Sequence, residues 1–533
     1  MCARTIAQLT EIVQQTCCNF GKTWEMGAED VEKAHGEEGS LLLQRSNTKE
    51  DLKQWPGWKQ VLWELQNQKS IGLPIAAMNM MWFGRMVIST AFLGRQGKLE
   101  LAGGALALTF ANVTAFSVLT GLSAGMEPLC AQAFGAANYK LLGATLYRGI
   151  ILLFLTSLPI GFLWLNVTKL LLELGQDKEI SKVAGTYLMF LLPDLAATSV
   201  LVPLRIYLRS QCITKPMMVA SAIALILHLP INMALQNLGV KGTALAIFWS
   251  DCNVVVMLLT YVYKTGLYKT TQAENWWRTG WAPLLKLSVA SCLLTCLEWW
   301  CYEILMLITG RLPKAEEAVS ELVVVLNGDQ ILYSLQIALA ACASTRVGNE
   351  LGGNNPVGAY HAAVVAVGLS VVVGCAGASA MIVGRNAWGM VFSTDQGVLG
   401  GVGKLMCFMA VAEIFNFPLT VAGGVLRGTA RPTVGVFLSL GSFYLFGLPI
   451  GVFLAFQWKL RLVGLLMGFL IAVAVCSALT LAVVFRTDWI HHTVLAQELI
   501  NGEQSELKSC QSGELETIGL AVMDDGNGKP EKK

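Results

Sequence analysis

Long, continuous apolar runs, most of them closed by Gly, Pro, Lys or Arg, set the rhythm of this chain. Twelve are long enough to cross a bilayer, at 70–93, 100–124, 144–165, 184–206, 216–236, 242–263, 283–308, 319–343, 357–383, 403–425, 433–456 and 462–485. A helix needs about 20 mostly apolar residues for that crossing. The runs lack period-two alternation, which excludes a membrane β-barrel. Six fall before residue 265 and six after 282. The pattern predicts an all-α integral membrane protein, with twelve transmembrane helices in two pseudo-symmetric six-helix lobes.

The halves are also related in detail. Aligning Gln132 with Asn349 places Phe134 on Leu351, Gly135 on Gly352 and Asn138 on Asn355. At nearly the same offset Leu208-Arg209 falls on Leu426-Arg427, and Leu229-Pro230-Ile231 on Leu448-Pro449-Ile450. Six spans per repeat bring each half in with the same orientation, so the expected pseudo-two-fold axis lies along the membrane normal.

Only the ends are polar over long stretches. Residues 1–54 and 486–533 are read as cytosolic tails, disordered over 1–54 and from 497 onward, where acids mix with Gly and Ser. Residues 55–265 are assigned to an interfacial helix and helices 1–6, 266–282 to a connection, and 283–485 to helices 7–12. Trp55, Trp58, Val61, Leu62 and Leu65 recur at helical spacing, with Lys59 and Glu64 opposite. That spacing fits an amphipathic helix lying at the interface, or a plain extension of the first span. Residues 1–20 lack the apolar core of a signal peptide, so the first span is expected to direct insertion.

Composition agrees with lipid as the solvent: 54% of residues are hydrophobic and 14% charged, against about 25% charged in soluble domains. A net charge of +2 identifies no partner, and nothing suggests nucleic acid. Lys and Arg are divided almost evenly between the two sets of connections, so charge bias does not orient the bundle. The fourteen Cys are scattered without a CxxC pair, which reads as packing; neither a metal nor another cofactor is expected.

An ionised side chain at membrane depth costs about 2.5–3.5 kcal/mol on insertion scales, so buried acids must pair or take up protons. Glu298 and Glu303 lie within the seventh span and Glu413 within the tenth, five residues before Pro418. Five residues on a helix separate two side chains by about 140°, so Glu298 and Glu303 do not point along one line. A single buried Glu is often just a hydrogen-bonded structural residue. Three in two helices of one half favour a proton- and substrate-binding site. Asp194, Asp251 and His228 form a possible second proton site, each weighed against a structural role, and Arg85 is read as a partner for a carboxylate. Trp299, Trp300 and Tyr302 flank the acids and could hold an organic cation by cation–π contact, or simply pack. Gly125, Gly135 and Gly352 are read as hinge glycines allowing close approach and unusual backbone angles. Arg209 and Arg427 are expected to bind the carbonyls ending their own helices.

Several segments resemble a known family. Gly121-Leu-Ser-Ala-Gly-Met-Glu-Pro-Leu-Cys-Ala-Gln-Ala-Phe-Gly135 looks like the signature after the second helix of multidrug and toxic compound extrusion (MATE) transporters, and Ser344-Thr-Arg-Val-Gly-Asn-Glu-Leu-Gly352 like its counterpart after the eighth. Cys296-Leu-Glu-Trp-Trp-Cys-Tyr-Glu303 resembles the seventh-helix motif of eukaryotic members. Leu192-Pro-Asp194, Arg205-Ile-Tyr-Leu-Arg-Ser-Gln211 and His228-Leu-Pro-Ile-Asn232 are similar to the plant branch. The resemblance runs from about 55 to 485. It implies two six-helix lobes, cytosolic termini, and export of small organic compounds in exchange for H⁺ or Na⁺ by alternating access. It also implies that acids in the seventh and tenth helices serve cation coupling and substrate binding. Protons are favoured over Na⁺, because a carboxyl needs only protonation whereas Na⁺ needs several converging oxygens.

In the eighth helix the chain departs from the plant pattern. Asn327-Gly-Asp329 and Gln336 replace a Gln-Thr-Thr run and a later Pro, which predicts a straighter helix carrying one extra acid.

A lipid or lipid-linked precursor flippase of related fold is the alternative reading. No DxxD-like pair supports a diphosphate-using membrane enzyme, and GxxxxGK[ST] is absent, so ATP is not the expected driving force. The expected unit is a monomer in the plasma membrane or a vacuolar or late endosomal membrane.

Overall fold

A computed structural model describes residues 55–273, 276–277, 280–392 and 396–502. The reading of 1–54 and of 503–533 as tails lies outside the described residues. Among these, no strand occurs, and twelve helices are long and apolar enough to span a membrane. They are α1 Trp58–Gln96, α2 Lys98–Gly135, α3 Tyr139–Leu165, α4 Lys178–Ser210, α5 Lys215–Leu238, α6 Val240–Lys264, α7 Trp281–Thr309, α8 Ala315–Gly352, α9 Pro356–Phe392, α10 Gly397–Gly428, α11 Pro432–Phe456 and α12 Arg461–Phe485. Large apolar side chains such as Leu158, Phe162, Val372, Val383, Phe437 and Leu445 lie exposed on the outside. Water would not tolerate so much apolar surface, whereas lipid requires it.

Local sequence explains the helix ends. Asp177 accepts from the amides of Glu179 and Ile180 to start α4, and Pro216 and Pro432 open the first turns of α5 and α11. α8 runs 38 residues without a proline, as its altered sequence predicts. π-helical turns interrupt α2 at Asn112–Phe116 and α11 at Leu440–Gly447.

The duplication is visible in backbone detail. Ala137 and Asn354, at matching positions, both adopt left-handed φ of 54° and 57°; Cys212 and Ala430 do so at 61° and 58°. Each follows a helix end closed by an amide reaching five residues back: Asn138 to Ala133 O, Asn355 to Glu350 O, Ile213 to Leu208 O and Arg431 to Leu426 O, at 2.8–3.0 Å. Asn138 and Asn355 then cap the next helices, accepting from Leu141 N and Gly358 N. Because α2, α4, α8, α10 and α12 all run toward the face where α1 begins, all four turns lie on that face, called here the signature face.

Two sequence expectations change. Residues 55–65 are not a separate interfacial helix, since Trp58 onward is continuous with the first span. Glu64 is its buried side, 2% exposed, while Trp58, Leu62 and Trp63 face outward. At the other end, residues 489–502 form a helix, α13, where composition suggested a tail. Trp489, Ala496 and Ile500 bury its inner side, and Gln497 Nε2 donates to the carbonyls of Leu351 and Gly352. α13 therefore lies over the second signature turn. Replacing Trp489 by Ala should cost about 3–5 kcal/mol if that packing is as tight as a core, read as a lowered melting temperature of the detergent-solubilised protein.

Candidate functional site

The lobes are joined by reciprocal bonds at the signature face. Gln132 Nε2 of the first lobe donates to Gly428 O of the second at 3.0 Å. Asn349 Nδ2 of the second donates to Ser210 O of the first at 3.2 Å. These are the same contact repeated by the pseudo-two-fold. The glycines follow the same symmetry: a Cβ on Gly135 would meet Asn349 O at 2.0 Å, and one on Gly352 would meet Gln132 O at 2.1 Å. Gly125 likewise allows α2 to touch the backbone of Ser288 on α7.

The glycines thus serve close approach, as expected, but not unusual angles. Gly125 is helical at φ −64°, and neither Gly135 nor Gly352 has a positive φ. The left-handed positions belong instead to Ala137, Cys212, Asn354 and Ala430.

Charges reinforce the clasp. Glu127 Oε1 accepts from Arg209 at 2.7 Å within the first lobe, and its Oε2 from Arg427 across the interface at 3.2 Å. Arg209 and Arg427 therefore hold a buried carboxylate rather than their own helix-end carbonyls, because a charge-assisted bond is roughly twice as strong as a neutral one. Arg346 binds both oxygens of Glu64 at 3.1 and 2.8 Å and also Glu350 at 2.7 Å, linking α1 to α8. Glu64, Glu127 and Arg346 were missed as a group because each lies at a span end, where charge is unremarked. Further cross-lobe bonds run inward, from Asn79 to Ser334 O and Trp300 to Val113 O. Positions along the helices place the last of these past the middle of the bundle, so contact between the lobes extends from the signature face beyond its midpoint.

The membrane-depth acids separate into two clusters. In the first lobe Arg85 donates to Asp251 at 2.7 Å. Asp194 lies within electrostatic reach of Asp251 and Arg85, and Arg205 within reach of Asp251. His228, 0% exposed, is held by Ser89, Ser250 and Asn232 at 2.7–3.0 Å. Two carboxylates thus face two guanidinium groups. Replacing Arg85 by Ala strands Asp251 and should destabilise the lobe by about 3–5 kcal/mol, measured by thermal melting; Asp251→Asn in the same chain should recover part of the loss.

Among the described residues, no Lys or Arg forms an ion pair with the second cluster. Glu413 on α10, 0% exposed, accepts from Gln336 Nε2 of α8 and from Asn416 Nδ2 at 3.0 Å. Asp329 of α8, 2% exposed, lies within electrostatic reach of it. Glu413 and Asp194 occupy equivalent depth: fourteen residues precede Arg427 in one case, fifteen precede Arg209 in the other. Asp329, and not Glu298 or Glu303, is the acid within electrostatic reach of Glu413. Glu298 lies within charge reach of Arg427 and Tyr333, while Glu303, five residues further along α7, is half-buried. Of the aromatics, Trp299 donates to Tyr333 Oη at 2.8 Å, Tyr302 packs on Phe469 and lies near Asp329 and Glu413, and Trp300 turns toward α2.

Two repeated six-helix lobes, clasped on one face and carrying buried acids at equivalent depths, define a membrane carrier of the two-lobed type. The MatE family model matches residues 74–234 and 290–453. Protein DETOXIFICATION 56 of Arabidopsis thaliana is 47% identical over 465 residues, covering 85% of this chain and 94% of that protein. Protein DETOXIFICATION 51 of the same plant is 42% identical over 449 residues, 83% of this chain and 84% of that protein. The crystal structure of the eukaryotic MATE transporter AtDTX14 is similar at a TM-score of 0.79 and 32% identity, covering 83% of this chain and 100% of that one. The Vibrio cholerae MATE transporter VcmN in its bent form shares the fold at a TM-score of 0.72 and 14% identity, over 82% and 99% of the two chains. The chain belongs to the MATE transporter family. It is an integral, multi-pass transporter and not an enzyme.

Proposed function

We propose that this protein is a proton-driven antiporter that exports small organic compounds by alternating access. What supports this most directly is the pairing of a symmetric clasp on one face with an uncompensated acid cluster in the second lobe. With the signature face closed, the proton is taken to reach Glu413 from the opposite side. A proton entering there neutralises the site; an organic cation arriving from the signature face, once that face opens, competes for the same charge. Competition suffices for coupling, because each occupant shifts the lobes only through its differential affinity for the two states.

In this proposal both termini and the signature face lie in the cytosol, so protons enter from outside or from an acidic lumen. The plasma membrane and the vacuolar or late endosomal membrane each supply such a gradient. One chain carries both lobes, which makes a monomer the working unit. Glu298 and Glu303 remain part of the proposed site on α7, with Trp299 and Tyr302 beside them. Asp194, Asp251 and His228 are the reserve proton site, in which Asp251 is already paired with Arg85.

In vesicles with an imposed pH gradient, Glu413→Gln should lower proton-driven uptake of an organic cation at least tenfold while preserving the melting temperature. Gln keeps the shape and removes the titration. Wild-type rates in both Glu413→Gln and Glu298→Gln would move the coupling site to Asp194.

A further inference from the structure

We propose that α13 is a strap that holds the signature face closed, anchored by Trp489 in the second lobe and attached through Ile500 to the first. The proposal rests on the alternating-access reading above and deepens it, by naming what restrains the opening of that face.

The anchored end belongs wholly to the second lobe. Asp488 starts α13, its carboxylate accepting from His491 N at 3.1 Å. Just before it, Thr487 Oγ1 accepts from Arg431, in the turn between α10 and α11, at 2.8 Å. Trp489, 4% exposed, meets Tyr360 of α9 edge-on with ring centroids 6.3 Å apart. It shares an apolar cluster with Ala496, Val347, Leu351 and Ala359. One turn further on, Gln497 Nε2 reaches Gly352 O at 2.8 Å and Leu351 O at 3.3 Å. Gly352 is the residue that lies against Gln132 of the first lobe, so at Gln497 the helix stands over the seam.

The far end crosses that seam. Ile500, 4% exposed, belongs to a different cluster, built mainly from the first lobe, with Ala133, Leu208 and Ile213 among its members. Half-buried Leu499 packs against the same cluster, whose second-lobe side includes Ala341 and Cys342 of α8. Roughly 16 Å separates Trp489 from Ile500 at 1.5 Å of rise per residue, which carries α13 from one cluster to the other. The two ends respond differently when the lobes part. Trp489 stays covered, because its neighbours move with it. Ile500 loses its first-lobe cover and meets water. A contact made only in the closed state shifts the equilibrium toward closure. Gln497 is a positioning residue: both its acceptors are second-lobe carbonyls, and its bonds hold Ile500 over the seam.

Native Cys342 reports the opening without knowledge of the substrate. It is 1% exposed, and its Sγ donates across the lobes to Gln68 O of α1 at 3.5 Å. Its labelling by N-ethylmaleimide is followed in lipid nanodiscs well below the melting temperature, with the modified peptide read by mass spectrometry. Ile500→Ala should raise the rate about tenfold, equivalent to about 1.4 kcal/mol lost from the closed state. Gln497→Ala, which opens no core cavity, should raise it too, so misfolding of one variant leaves the other as the test. Val494→Ala is the control, since Val494 is 50% exposed on the same helix. Gly352→Val forces the lobes apart directly and sets the rate for an open face. A rate above the control in either α13 variant supports the strap. Wild-type rates in both, with fast labelling in Gly352→Val, overturn it: α13 is then a cap on the second lobe, and alternating access stands. Slow labelling in Gly352→Val as well would overturn the strap and the opening of the face together.

Discussion

Replacing Gly352 by Val will cut transport by roughly tenfold to a hundredfold while leaving both lobes folded. A Cβ at that position would lie 2.1 Å from Gln132 O and 2.7 Å from the carbonyl carbon and Cα of the same residue. All three are backbone atoms of a helix end, so no side-chain rotation relieves the overlap. The lobes must separate, and with them the two amide bonds of the clasp. Overpacking of this kind costs about 1–3 kcal/mol or more, enough to depopulate the closed state by roughly tenfold to a hundredfold at about 1.4 kcal/mol per decade. Transport in vesicles should fall accordingly. Gly368→Ala is the control, because nothing lies within 4 Å of a Cβ there; it should transport normally.

The second large effect concerns Glu127. Its carboxylate lies between Arg209 and Arg427, whose side chains are only 13% and 19% exposed. Glu127→Gln leaves two guanidinium groups facing each other across the lobe interface. Breaking a buried pair costs about 3–5 kcal/mol, and the residual exposure of both arginines places this case at the lower end. Transport should drop at least tenfold. Arg427→Gln in the same chain removes the repulsion and should restore part of the rate, giving a favourable coupling energy in the double-mutant cycle. If the double variant is as impaired as the two single losses added together, Glu127 and Arg427 act independently and the charge clasp is not a unit.

What the sequence made legible follows from how strongly each feature is constrained. Spans are dictated by the hydrocarbon, and twelve could be placed within a few residues of their cores. The repeat was readable because Gln132 and Asn349, Gly135 and Gly352, and Arg209 and Arg427 keep matching chemistry. Partnerships were not readable. Glu64 looked like the wet side of an interfacial helix, yet it meets Arg346 from 282 residues away. Asp329 was recognisable as an extra acid, but nothing local links it to α10. α13 left a signal in Trp489, Ala496 and Ile500, spaced seven and four residues apart on one helical face, which its polar neighbours hid.

The central claim is that the signature face closes and must open during each cycle. Native Cys212 in the first lobe receives a contact from Asn349 Nδ2 of the second at 3.6 Å, so Asn349→Cys should place two sulfurs within bonding range when that face is closed. Oxidising this variant in vesicles, with the crosslinked peptide confirmed by mass spectrometry, should stop transport, and a reductant should restore it to the level of the unoxidised variant. Crosslinked protein that still transports at the reduced rate would show that the face does not open, and would contradict alternating access through this clasp.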